Sequence, residues 1–299
     1  MFAHIDTWSR KGGEGAVRLN GQRAWTVEEI IAEVERETSA CHHVENPTSK
    51  DELFIIPGSC KNFDELKLAH EEACQVKIEC DYTNPKNTNK SRRMKKLRVD
   101  THTLYTAVIS LPINSEDAID SPLLISECVE AFEHTLLVEK KRLQEAGGEL
   151  AIAVIHTDEE KIHMHILGLD RQHGSVNRLH PGKAAVDEIR RSNKWKNGCS
   201  TDLNRAYKSA MVHWQDNLYE QVFKKFGLLR AGPRRARLSR QEYKQKKEDQ
   251  EKQAKSIKEA VLAEEEIRKS EKLKTAIEQD RKALNAQRAE QVPGIWTMC

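Results

Sequence analysis

Ten residues of this chain concentrate its clearest chemistry. The segment 156–165 reads H-T-D-E-E-K-I-H-M-H. His163 and His165 are two apart, so on a strand both side chains leave the same face. His156 ends the apolar run just before them. An antiparallel neighbour lies about 5 Å away, which brings its ring within reach of the other two. Three imidazoles on one patch of sheet make a nitrogen ligand set for a divalent transition metal. Three protein ligands also leave positions for water or a substrate oxygen. Asp158 and Glu159 stand in the intervening turn, where a carboxylate can act as fourth ligand, as a support that orients a ligand, or as a general base.

The elements that must position these groups can be read from the flanking patterns. ELAIAVIH at 149–156 and HMHILGL at 163–169 are short apolar strands separated by six residues, which predicts a hairpin. LYTAVISL at 104–111 predicts a third strand, stopped by Pro112, and residues 2–9 a fourth. Thr26 and Glu29 form a capping box for a helix over 27–38. Helical spacing of Leu66, Ala69, Ala73 and Val76 predicts a second helix over 63–80. A third runs over 126–145 and ends at Gly147-Gly148; a fourth runs over 202–226. Residues 46–58 read as loop, and 83–98 as a basic mobile loop. The predicted fold class is α+β: a central antiparallel sheet with helices packed on it.

Charge is segregated. Among 299 residues, 49 Lys and Arg oppose 47 Asp and Glu, a net charge of only +2. Yet 86–98 holds seven basic residues and no acid, and 230–247 holds eight against Glu242. Positive charge in blocks is what a polyanion contacts. Arg92, Arg93, Lys95, Lys96, Arg234, Arg235 and Arg237 are the candidate DNA-binding residues. Residues 248–290 balance ten basic against eleven acidic residues, with no Gly, Pro or aromatic. They predict a solvated helical extension outside the core, so the expected division is 1–238 for the catalytic and DNA-binding domain and 239–299 for the tail.

Several function classes are excluded by the same reading. No apolar run reaches the roughly 20 residues that span a bilayer, and 1–13 has no signal-peptide core. Seven scattered cysteines without a CxxC pair argue for reduced thiols and a cytoplasmic protein. There is no Walker loop, GxSxG or GxGxxG, so nucleotide hydrolysis, serine-hydrolase chemistry and dinucleotide redox find no support. A histidine-bound metal beside basic segments suits phosphodiester chemistry on nucleic acid.

The motif His156-x-Asp158-Glu159-x-x-x-His163-Met164-His165 resembles the metal motif of the HUH relaxases, most of all the MobV (Pre/Mob) plasmid-mobilisation branch, with Ile162 where that branch has proline. Residues 225–232, KFGLLRAG, resemble the FGLERG-type segment of the same family, followed by a basic stretch and Tyr243. Residues 179–183, LHPGK, are similar to a mobilisation-protein signature. The resemblance implies a strand-specific nicking endonuclease acting at an origin of transfer in plasmid mobilisation or conjugation. A nucleophilic side chain would take the 5′-phosphate in a covalent link and free a 3′-OH. It implies His156, His163 and His165 as metal ligands, Mn or Mg as the metal, and Glu159 as the group that orients or deprotonates the nucleophile. Expected partners are single-stranded or hairpin origin DNA and other relaxosome or coupling proteins, with no membrane.

The family's nucleophilic histidine motif is replaced here by Leu19-Asn20-Gly21-Gln22-Arg23. His43, beside His42, is the favoured nucleophile, ahead of His4, Tyr82 and Tyr105. The alternatives are an HUH-type replication initiator, a metal-dependent nuclease acting through water, and a non-catalytic DNA-binding accessory protein.

Overall fold

A computed structural model describes residues 1–11, 25–44, 46–83, 90–192, 200–230 and 240–290. The chain divides into two compact units. One comprises Met1–Phe223 with Arg230–Gly232, and the other Lys224–Leu229 with Pro233–Cys299.

The first unit is built on a five-stranded antiparallel sheet. Its strands are β1 (Phe2–Ser9), β2 (Phe54–Pro57), β5 (His102–Asn114), β6 (Glu149–His156) and β7 (Lys161–Leu169), in the order β1-β5-β7-β6-β2. Between them in the chain come α1 (Val27–Val34), α2 (Phe63–Cys74), β3 (Lys77–Thr83), β4 (Lys90–Lys96), α3 (Ser115–Ile119) and α4 (Pro122–Glu145). After β7 follow α5 (Pro181–Arg191) and α6 (Ser200–Gln221). The α+β class, an antiparallel sheet with packed helices, is therefore as expected, and the sheet has one strand, β2, beyond the four predicted.

Helices cover the sheet through its apolar stripes. On one face Val27, Ile31 and Val34 of α1, with Phe63, Leu66 and Ala69 of α2, pack against Ile152, Val154 and Leu167. Burying such a side chain fully contributes about 1.5–3 kcal/mol. The opposite face meets α4. A Cβ placed on Gly168, which points away from α1, would lie 3.4 Å from Leu143 and 3.2 Å from Tyr105. There Tyr105 donates to Glu139 Oε2 at 3.0 Å and Trp214 Nε1 donates to Glu139 Oε1 at 2.7 Å, so one buried carboxylate ties β5, α4 and α6 together. Arg142 closes the network with Nη2 2.8 Å from the same carboxylate.

Several expectations are corrected. The helix predicted over 63–80 ends at Cys74, and β3 begins at Lys77. The basic segment 83–98 is not a loop throughout. Lys90–Lys96 is β4, which pairs with β3 from Thr83↔Lys90 to Lys77↔Lys96 as a two-stranded ribbon. Cross-strand pairing overrides the poor strand propensity of Lys and Arg. The stretch 46–58, expected as loop, contains β2, and α5 is an element the patterning does not predict.

Pro112 does not stop β5, because the β5–β7 register breaks between Ser110 and Asn114, and an irregular site needs no ladder N–H from proline. The β6–β7 loop is four residues long rather than six, since β7 starts at Lys161. The fourth helix ends at Gln221, with a 3-10 turn over Phe223–Phe226.

Two helices end in the same turn with different residues. Helix α4 closes as a Schellman turn: Gly147 at φ 79°, Gly148 N–H donating to Leu143 O at 2.9 Å and Gly147 N–H to Gln144 O at 2.9 Å. Helix α1 closes the same way and stops short of the predicted Thr38. Glu37 N–H donates to Ala32 O at 2.8 Å and Arg36 N–H to Glu33 O at 3.1 Å. The left-handed position is occupied by Arg36, φ 61°, where glycine is usual.

The second unit carries α7 (Arg240–Glu290), 51 residues and so roughly 76 Å long. Its apolar residues Leu262, Ile267, Leu273 and Ile277 are half exposed or more. Among the described residues, no helix is long and apolar enough to cross a membrane.

Candidate metal centre

The hairpin register assembles the three histidines. His156 lies directly opposite His163 in the β6–β7 ladder, and His165 lies opposite Val154. Opposed residues share a face, as do residues two apart, so all three rings stand on the face covered by α1. Their centroids form a near-equilateral triangle: 5.2 Å for His156–His163, 4.8 Å for His156–His165 and 5.1 Å for His163–His165. One ring nitrogen of each lies within 4.8 Å of the others, and all three residues are buried.

The donor set fits a metal on three grounds. First, hydrogen bonds fix which nitrogen is free. His156 Nε2 donates to Val34 O at 3.0 Å, leaving Nδ1 as a lone-pair donor, buried and without a hydrogen-bond partner. His163 Nδ1 donates to Lys161 O at 2.9 Å, leaving Nε2 for the cluster. Backbone carbonyls commonly orient metal-binding histidines in this way. Second, burial, with the Arg36 charge adding to it, pushes the His156 pKa down to about 3. Burial together with the neighbouring histidines holds His165 far below its ordinary value. Neutral imidazoles are the form that coordinates. Third, carboxylates stand at the rim: His156, Asp158 and Glu159 form an overlapping group of possible ligands.

The carboxylates divide their work. Asp158 is an organiser of the backbone. Its Oδ2 and Oδ1 accept from Arg36 Nε at 2.9 Å and Nη2 at 2.6 Å, and Oδ2 also accepts from Thr48 N–H at 2.9 Å. Burial raises its pKa, but these bonds outweigh burial and hold the carboxyl below the usual range. Glu159 faces the histidines. Its Oε1 lies 2.9 Å from Arg36 Nη2, 3.6 Å from His163 Nε2 and 3.6 Å from His43 Nε2. His43 is about half exposed, and its Nε2 is also 3.7 Å from Glu33 Oε1. Burial raises the Glu33 pKa despite nearby Arg36 and His43.

The structure therefore brings together His43, Glu159, His156, His163 and His165, and adds Arg36 and Glu33, which motif reading missed. The only signal for Arg36 is positional, since a charged residue at a helix end is common and carries no motif. Comparison with protein-family models, with curated proteins and with solved structures gives no match to this chain.

Of the other nucleophile candidates, Tyr105 is completely buried and engaged with Glu139 and Arg142, on the face away from the histidines. Its hydroxyl pKa is pushed well up by burial and by the Glu139 charge, and complete burial keeps the hydroxyl away from any strand on the histidine face. His42 lines a groove beside α1 and α2 with Trp25, Lys67 and His70. His4 is on the histidine face of the sheet, two strands away. Tyr82 lies in β3, and its side chain is outside the described residues.

Arg92, Arg93, Lys95 and Lys96 stand on β4 of the separate ribbon, and all four are exposed. Arg92 Nη1 is 3.4 Å from Glu79 Oε2 across the strand pair. Arg234, Arg235 and Arg237 lie outside the described residues. The segment 179–183 has a local structural role: His180 Nδ1 accepts from Gly182 N–H at 3.1 Å as the N-cap of α5, and its Nε2 meets Tyr207 OH at 3.1 Å. Lys183 Nζ is hydrogen-bonded to Thr7 Oγ1, a residue of β1 that points away from the histidine face.

Proposed function

We propose that this chain is a metal-dependent, strand-specific DNA-nicking transesterase of the HUH relaxase kind, cutting at an origin of transfer and holding the 5′-phosphate covalently. The observation that carries the reading is the position of Glu159. One carboxylate oxygen lies within 3.6 Å of a metal-ligand candidate, His163, and equally of a nucleophile candidate, His43. A base that touches both ends of the reaction is what a phosphodiester transesterification needs.

A divalent metal on His156, His163 and His165, Mn or Mg in this reading, would polarise the scissile phosphate and offset charge developing on its oxygens. Arg36 holds Glu159 and Asp158 in place, and Asp158 locks the turn against Thr48. Glu159 orients the His43 ring through Nε2. The other ring nitrogen attacks phosphorus as the P–O3′ bond breaks. The imidazole proton passes by way of Glu159 to the departing oxygen, which leaves as a free 3′-OH. The phosphorus–nitrogen bond keeps the energy needed for resealing. The exposed cations of β4 supply backbone contacts that hold the strand.

The test is incubation with supercoiled origin-bearing plasmid and Mn, followed by denaturing electrophoresis and mass spectrometry of the adduct. The expected result is a nicked circle and a phosphohistidyl peptide containing His43, both lost in His43→Ala and reduced about 10²- to 10⁴-fold in Glu159→Gln. A nick without an adduct would move the reaction to a water-using nuclease. Salt-sensitive binding with no cleavage under any metal would leave only an accessory DNA-binding role.

A further inference from the structure

The histidine face of the sheet is not evenly covered. Two rows cross β7, β5 and β1: His163–Ser110–Phe2 and His165–Val108–His4. Ser110 and Val108 are partly exposed, whereas their neighbours Ala107 and Ile109, which point to the other face, are fully buried. At the β1 end the rows finish in two exposed rings. Phe2 is 60% exposed and the His4 side chain 58%. The rings lie 6.3 Å apart at 18° to one another, nearly parallel. Helices α1 and α2 pack over the other part of this face, where Trp8 lies against their core.

An open strip thus runs from the histidine triangle to a pair of parallel rings two strands away, roughly 10 Å at the usual strand spacing. Exposed rings at the end of such a strip contribute little to the core. Their faces suit a flat, unpaired aromatic ligand. A cation is fastened to the same end of β1. Gln215 Nε2 donates to Ala3 O at 2.8 Å, and Gln215 Oε1 accepts from Arg230 Nη2 at 3.1 Å; Arg230 is also paired with Asp216 at 2.6 Å. Arg230 thus helps hold the β1 backbone that carries the two rings.

We propose that Phe2 and His4 form a stacking platform for an unpaired base of the DNA strand whose phosphate reaches the histidine centre, a proposal that rests on the nicking reading above. The occupant is single-stranded DNA, because a base within a duplex has its faces covered by its neighbours, whereas an unpaired base offers a free π-face. The platform sets the register of the strand across the sheet. It is tolerant of base identity, because every base has such a face.

The test uses short single-stranded oligodeoxynucleotides carrying 2-aminopurine at successive positions, titrated into the full chain in the presence of EDTA. Fluorescence quenching is expected at a single position. The double variant Phe2→Ala/His4→Ala should lose that quench and bind about 5- to 150-fold more weakly. Phe2→Trp should keep both, and duplex binding should not change. Because Phe2 is exposed, the variants should retain the far-ultraviolet circular dichroism of the parent. Undiminished quenching and affinity in the double variant, or an equal loss for duplex DNA, overturns the platform. Binding and quenching need no cleavage. Quenching that depends on Phe2, in a protein that never nicks, therefore removes the relaxase reading and keeps the platform. Normal nicking in the double variant with quenching intact removes the platform alone.

Discussion

Arg36 and Asp158, 122 residues apart, form a two-pronged ion pair in which Nε and Nη2 of one guanidinium hold both oxygens of one carboxylate at 2.9 and 2.6 Å. The guanidinium is fully buried, and Glu159 and Glu33 share it. The pair fastens the end of α1 to the β6–β7 turn, and so fixes where Glu159 points. Arg36 adopts a left-handed conformation to do this, at about 1–2 kcal/mol relative to the right-handed region. Strain of that kind persists where the surroundings over-determine it.

Removing the guanidinium should therefore cost more than an ordinary surface change. Arg36→Ala leaves Asp158 and Glu33 without their main partner and should destabilise the chain by about 3–5 kcal/mol in urea unfolding. Arg36→Gly should recover about 1 kcal/mol of that loss, because glycine accepts the backbone angle. Arg36→Lys should fall in between, since an ammonium cannot bridge both oxygens. Equal stabilities for the glycine and alanine variants would show that the backbone angle carries no strain.

Metal binding should register as stability. A divalent ion at one hundred times its dissociation constant should add about 2.7 kcal/mol, read as a rise in thermal midpoint that a chelator reverses. His163→Ala should abolish the rise. Asp158→Asn should keep it, at about 10- to 100-fold higher metal concentration, because the turn supporting the ligands loosens. A midpoint indifferent to Mn, Ni and Zn would remove the metal centre.

Four buried histidines predict the direction of pH dependence. Burial lowers the pKa of His70 and His180 to about 4 and of His156 to about 3, and holds His165 far below its ordinary value. A histidine in the unfolded chain titrates near about 6.5, so below that pH the unfolded chain binds protons that the folded chain refuses. Stability is thus fully present above about pH 6.5 and is lost as pH falls towards the folded values. Each group costs up to about 1.4 kcal/mol per pH unit. The paired carboxylates Asp158 and Glu35, whose pKa values are lowered, lose their contribution only below about pH 4.5. Denaturant midpoints should therefore drop between about pH 6.5 and 5, where these histidines outweigh the opposite contribution of Glu33, whose carboxyl pKa burial raises. A flat profile over that interval would contradict the burial of the cluster.

The ribbon predicts a salt effect. Arg93 and Lys95 lie on one side of β4, opposite Cys80 and Ile78. Replacing both with alanine should weaken DNA binding. It should also flatten the slope of log affinity against log salt by about 0.7–0.9 for each phosphate that the ribbon no longer neutralises. An unchanged slope would remove the ribbon from the DNA path.

How legible the fold is in the sequence depends on the range of the forces involved. Helix α4 can be read to its last turn, because Gly147 announces a left-handed cap by its residue type. Helix α1 cannot, because Arg36 fills the same position, and the ion pairs that hold it there come from residues far away in sequence. Strands β6 and β7 show themselves as apolar runs. Strands β2 and β4 do not, since β2 is four residues long and β4 is almost wholly polar; each exists because a partner strand supplies its hydrogen bonds.

The histidine hairpin is already written in the order of its residues, because alternation along a strand and pairing across a short turn are local geometry. Residue spacing is enough to predict three rings on one face. Their surroundings come from the packing of distant segments. Laying α1 over the sheet carries Arg36, Glu33 and His43 to Glu159, and leaves Phe2 and His4 open at the far edge. Those placements depend on which parts of the sheet the helices cover, and that is set by burial of apolar side chains scattered along the whole domain rather than by any short pattern.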